Sequence, residues 1–123
     1  MLKWVNLWPT VFCSSGIFWL SVIKNPSIKI SDHWFFDNID KIGHFIAYTV
    51  LLLSAFWSFS KIFHGNKIYL KQIIILGLTC FLYGLIIECF QYYIPYRNFD
   101  AFDLLANTTG ILFGAYLINR FYH

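Results

Sequence analysis

His44, Glu88 and Asp103 are side chains whose types can carry chemistry and whose apolar neighbourhoods make them conspicuous. An imidazole exchanges protons near neutral pH and suits general-base work. A carboxylate inside an apolar segment costs several kcal/mol unless it is paired, so its presence there points first to function. Each residue belongs to a polar set. The first set is Asp40, Lys41, His44 and Tyr48; the second is Glu88, Gln91, Pro95, Arg97, Asp100, Asp103, Asn107 and Gly110. The chemistry such sets permit is acid–base work by His44 with Glu88 or Asp103 as its orienting carboxylate, and capture of a phosphate or carboxylate by Arg97 and Lys41.

Those side chains need helices to bring them together, and the composition says what kind. Of the 123 residues, 59% are hydrophobic and 22% aromatic, while 12% are charged. Soluble domains carry about 45–50% apolar and about 25% charged residues, and so short a chain could not hide the excess. The class is an integral membrane protein, all-α. Apolar runs over residues 4–23, 40–63, 70–94 and 100–122 are each long enough to cross a hydrocarbon core of about 30 Å, and the short links between them predict one bundle of four transmembrane helices in a single domain. Pro9 falls in the first turns of the first run, and Pro95 ends the third. Residues 24–39, with Asn25-Pro26, Ser31-Asp32 and Trp34-Phe35-Phe36, read as a turn and an interfacial segment, with Asp37 or Asn38 as N-cap of the second helix.

The formal charge of +3 comes from basic residues scattered between apolar runs. Nucleic acid needs them clustered, so no nucleic-acid partner is expected. Lys3, Lys61, Lys67, Lys71 and Arg120 fall on one side of the bundle, and Lys24, Lys29, Lys41 and Arg97 on the other. The positive-inside rule then puts both termini in the cytoplasm and the polar sets at the outer face. Cys13, Cys80 and Cys89 lie within apolar runs, with no metal or redox spacing, and read as packed or lipid-buried thiols. The first run lacks a small-residue cleavage site and is expected to remain as an anchor.

Helical spacing shows that the sets can meet. Asp40, His44 and Tyr48 are four apart and share a stripe; Glu88 and Gln91 share one with Gly77 and Gly84; Asp103, Asn107, Gly110 and Gly114 share a third. Tyr48 is about 12 Å from the helix end at Asp40, and Glu88 and Asn107 are about 10 Å from theirs at Pro95 and Asp100, so the stripes occupy one depth. The apolar remainder excludes a continuous polar channel. Plainer roles stand beside the functional ones. Lys41 can snorkel to headgroups, Asp40 can sit at the positive end of a helix dipole, Asp100 can cap the fourth helix, and Glu88 can pair with Arg97. Gln91 and Tyr48 read as supporting partners, and Asn107 and Asp103 as members of the network. No close pair such as His-x-x-x-His is present, and neither a metal nor a cofactor is expected.

With both sets in order, Asp40-Lys41-x-x-His44-x-x-x-Tyr48 and Glu88-x-x-Gln91-x-x-x-Pro95-x-Arg97-x-x-Asp100-x-x-Asp103-x-x-x-Asn107-x-x-Gly110, the chain resembles the VanZ-like family of small bacterial multi-pass membrane proteins. The resemblance implies a place in the bacterial cell envelope and plasma membrane, and a possible part in resistance to the glycopeptide teicoplanin, without implying a reaction. Three readings of function follow. The first is a binder of an anionic lipid or lipid-linked cell-wall precursor, using Lys41, His44, Tyr48, Glu88, Gln91, Arg97, Asp100, Asp103 and Asn107. The second is a lipid-modifying enzyme with His44, Glu88 and Asp103 as its catalytic candidates. The third is an assembly protein in which polar contacts only join helices.

Overall fold

A computed structural model describes residues 2–22, 33–63, 70–94 and 101–122. All described elements are helical: a 3₁₀ segment Leu2–Leu7, then α1 (Trp8–Val22), α2 (His33–Phe63), α3 (Leu70–Tyr92) and α4 (Ala101–Tyr122). Stretches Lys41–Ile62, Leu70–Tyr92 and Ala101–Phe121 are long and apolar enough to cross a membrane. The α1 helix alone is about 22 Å long; with the 3₁₀ segment ahead of it the rod reaches about 35 Å. The expected bundle of four helices is therefore present, with three of them full spans by themselves.

Two boundaries differ from the sequence reading, each for a backbone reason. The first rod starts as 3₁₀ and becomes α at Trp8, because Pro9 has no N–H to donate four residues back and an α ladder running from Leu2 would be broken there. The second helix begins at His33, not Asp40. Asp37 and Asn38 thus lie inside α2 and are not its caps, and the interfacial segment Trp34-Phe35-Phe36 is helical. No proline or glycine interrupts residues 33–42, so once a turn forms nothing stops it. At about 46 Å, α2 is longer than the hydrocarbon core and carries about two turns beyond its spanning part. At the end of α3 the last bonds shorten to i→i+3, Tyr93 N–H to Phe90 C=O and Ile94 N–H to Gln91 C=O, both 3.1 Å, as the chain approaches Pro95.

Aliphatic and aromatic side chains fill the core, and further large apolar ones cover the outside. Tyr48, Leu51, Leu52 and Phe56 of α2 meet Ile73 and Cys80 of α3 and Ile111 and Ile118 of α4. Phe12, Trp19, Ile86, Phe102, Leu112 and Phe121 face outward and are more than half exposed, an arrangement suited to lipid and costly in water. Of the thiols, Cys80 is buried, Cys13 half-buried and Cys89 exposed on that outer surface.

The closest approach is between α2 and α4. Gly110 sits so near the Phe45 carbonyl that a Cβ there would overlap it, and a Cβ on Gly114 would stand 3.2 Å from Leu52 Cδ2 and 3.4 Å from the Thr49 carbonyl oxygen. The Gly-x-x-x-Gly pair thus faces α2, as small-residue motifs do in membrane helices. Thr49 Oγ1 uses that proximity, lying 2.8 Å from the Phe45 carbonyl oxygen and 2.9 Å from that of Gly110.

The first helix is held by polar contacts at three levels. The hydroxyls of Thr10 and Ser58 share a hydrogen bond of 2.9 Å, Tyr83 donates to the Ser14 carbonyl, and Gln91 Nε2 donates to the Ser21 carbonyl at 3.0 Å. Interhelical polar contacts in membranes contribute about 0.6 kcal/mol on average. A Thr10→Ala/Ser58→Ala double-mutant cycle, measured by reversible unfolding in mixed detergents, is expected to give a coupling of about that size; a value near zero would mean that the two hydroxyls do not interact in the folded protein.

Candidate functional site

Three helices, with α3 running antiparallel to α2 and α4, bring their polar stripes to one end of the bundle. His44 lies three residues inside the α2 span, Glu88 four residues from the end of α3, and Asp103 and Asn107 in the first two turns of α4. All are within about 10 Å of the same end. Antiparallel packing is the reason: the start of α2, the end of α3 and the start of α4 are neighbours, so residues far apart in sequence meet at one depth.

At the centre is His44. Its Nδ1 lies 2.9 Å from Asn107 Oδ1. A carboxamide oxygen only accepts, so Nδ1 carries the proton and donates it. The ring's other nitrogen, Nε2, is 3.6 Å from Asp103 Oδ2. Asn107 therefore sets the imidazole's orientation and presents Nε2 to the carboxylate. Glu88, wholly buried, completes the group: one ligand-type atom from each of His44, Glu88 and Asp103 lies within 4.8 Å of the others. These are N and O donors of the kind that hold divalent cations.

Beneath the cluster, Tyr48 and Asn107 are buried against the small face of α3. A Cβ on Gly84 would stand 3.0 Å from Tyr48 Cε1 and 3.1 Å from both Asn107 Nδ2 and the Tyr48 hydroxyl oxygen. Glycine at 84, one turn from Glu88, is what leaves room for both side chains. Lys41, half-buried, stands one turn outward from His44 on α2.

Most positions singled out from the sequence are thus brought together: His44, Glu88, Asp103 and Asn107 in direct company, Tyr48 below, Lys41 toward the membrane face. Gln91 is buried too, but its amide reaches α1 through Ser21. Asp40 falls within α2. Arg97, Asp100 and Pro95 lie outside the described residues. Thr49 was not legible as a contributor. Threonines in membrane helices commonly bond to their own preceding turn, and only the packing of α4 against α2 reveals its second partner, Gly110.

A protein of Schizosaccharomyces pombe described as uncharacterized protein C11E3.10 is 35% identical over 85 residues, covering 68% of this chain and 48% of that protein. The chain thus spans about half the length of that relative. No solved structure matches. The sequence model of the VanZ/LLP1 family matches residues 2–122, nearly the whole chain and all of the helices that build the cluster, and the chain is a member of that family.

Proposed function

We propose that this VanZ-type membrane protein binds the phosphate of an anionic lipid or of a lipid-linked cell-wall precursor at the polar end of its bundle. One observation carries the reading: a fully buried carboxylate, Glu88, converges with His44 and Asp103 at one depth in otherwise apolar spans. Ionisable groups are expensive there and mark sites where a ligand is handled. Lys41, a turn outward, and Arg97, close in sequence to the end of α3 and the start of α4, are the cations suited to a phosphate. The apolar outer faces suit the acyl chains. The yeast relative favours a phospholipid over a wall precursor, since the former is common to both kinds of cell. In a bacterium this reading has the protein in the plasma membrane with both termini cytoplasmic and the site outward, and a contribution to teicoplanin resistance follows if the ligand is a wall precursor.

The test is lipid retention by purified protein in nanodiscs of phosphatidylcholine doped with phosphatidic acid, phosphatidylglycerol or a polyprenyl phosphate. Wild type is expected to enrich a phosphate-monoester or anionic lipid over phosphatidylcholine. A Lys41→Gln or Arg97→Gln change would lower that enrichment about tenfold or more, the value of a charge-assisted hydrogen bond. Equal retention of all lipids by wild type would sink the reading. Preference for the polyprenyl phosphate alone would assign a wall precursor, and only then is protection from teicoplanin by wild type, lost in Glu88→Gln and Arg97→Gln at unchanged abundance, expected.

A second reading is favoured by the clamped imidazole. With Nδ1 held by Asn107 and Nε2 facing Asp103, His44 is oriented as a general base is. If the protein modifies the lipid it binds, His44→Gln lowers turnover far more than it lowers retention.

A further inference from the structure

We propose that His44 Nε2 and one carboxylate oxygen from each of Glu88 and Asp103 bind a single divalent first-row transition-metal cation such as Zn²⁺ or Mn²⁺. The cation site rests on the reading of this cluster as a binding centre, and it adds the group that would meet the ligand.

Geometry comes first. A tetrahedral cation with ligand bonds of about 2.1 Å holds its ligand atoms about 3.4 Å apart. The His44 Nε2 to Asp103 Oδ2 separation is 3.6 Å, and one ligand-type atom from each of His44, Glu88 and Asp103 lies within 4.8 Å of the others. Small rotations about the two carboxylate side chains close the remainder. Three different helices contribute one donor each, so the site exists only in the assembled bundle.

The surroundings of the donors point the same way. A metal-bound histidine usually donates its other N–H to a neighbouring acceptor, which fixes the ring and raises its basicity; Asn107 Oδ1 does this for His44. Independently, Asn107 is 1% exposed and its Nδ2 has no hydrogen-bond partner among the described residues. A buried amide donor of that kind is satisfied by a water or ligand oxygen, so the pocket beside the ring is one that takes an oxygen. A divalent cation held by these donors also accepts a phosphate oxygen, which bare carboxylates would repel. The imidazole selects against Mg²⁺ and Ca²⁺, which prefer oxygen ligands alone.

Tag-free protein, stripped with a chelator and titrated with Zn²⁺ or Co²⁺ in detergent, is expected to bind one metal per chain by elemental analysis. Its unfolding temperature should rise with Zn²⁺ but not with Mg²⁺, and bound Co²⁺ should show visible absorption of low symmetry. Asn107→Leu should weaken Zn²⁺ binding about 10- to 100-fold, as loss of an outer partner does, and His44→Gln, Glu88→Gln and Asp103→Asn should each weaken it further. A His33→Gln/His64→Gln/His123→Gln protein, which leaves the cluster whole, should bind as wild type. Loss of binding in that protein, equal binding in the three cluster variants, or no binding by wild type overturns the proposal; the last outcome would assign charge balance to protons or to a basic side chain such as Lys41. Stoichiometric metal without enrichment of anionic lipid would keep the cation site and remove the lipid reading, and enrichment persisting in stripped protein that binds no metal would do the reverse.

Discussion

A Gly110→Val protein is expected to lose at least about 3 kcal/mol of folding stability, the upper part of the range for overpacked positions, and to show it as a collapse of the unfolding transition in mixed detergents. The obstacle to the new side chain is the Phe45 backbone carbonyl, which cannot rotate aside as a side chain can. Accommodating a Cβ means moving α2 from α4, and that separation also breaks the Thr49 bridge to the Gly110 carbonyl. Gly114→Ala is the internal comparison. Its nearest neighbour is the end of the Leu52 side chain, which can shift, so a cost of about 1 kcal/mol or less is expected. Equal stability of Gly110→Val and wild type would mean that α2 and α4 do not meet as described. Because His44 and Asp103 ride on these two helices, a Gly110 variant that still folds should also lose whatever the cluster binds.

Glu88→Gln separates work from packing. The substitution keeps volume and removes one negative charge from a group holding two carboxylates and an imidazole. If the cluster is a binding centre, retention of anionic lipid falls by more than about tenfold. Folding stability of the metal-stripped protein stays within about 1 kcal/mol of wild type, because Gln keeps the volume and hydrogen-bonding capacity of the side chain and removes one of two adjacent like charges. If the polar residues only join helices, stability falls and binding follows it in proportion. Unfolding of both proteins under the same detergent conditions, beside lipid retention, decides between the two; a clear loss of stability in Glu88→Gln would sink the binding-centre reading.

The spans and the cluster were legible in the sequence because each follows from one-dimensional rules. Apolar length marks a span, and spacing of three or four marks a helical face. Counting residues from Asp40, Pro95 and Asp100 is enough to put Glu88 and Asn107 near the depth of Tyr48, and antiparallel packing then makes the stripes meet. The start of α2 was hidden because polar residues such as Asp37 and Asn38 resemble caps, yet the backbone from His33 onward meets no breaker. Gln91 reads in the sequence as a supporting partner of the cluster, yet its amide turns to Ser21 of α1. It shares a face with Glu88, and whether it turned to the cluster or to α1 depended on where α1 packs, which no periodicity encodes. The convergence of three donor atoms, as distinct from three donor types, likewise arises only when helices are laid side by side.

The polar attachments of α1 to α3 rest on one side chain each. Tyr83 and Gln91 reach across to the carbonyls of Ser14 and Ser21, which belong to the main chain and would be offered by any residue at those places. These two polar contacts are therefore written on α3 alone, at two positions about two turns apart. At Ser14 and Ser21 the first helix is free to drift in sequence as long as it stays helical, whereas exchange of Tyr83 or Gln91 is felt at once. Divergent relatives aligned by their first helix would look less related than they are, and the later helices hold the more faithful record of descent.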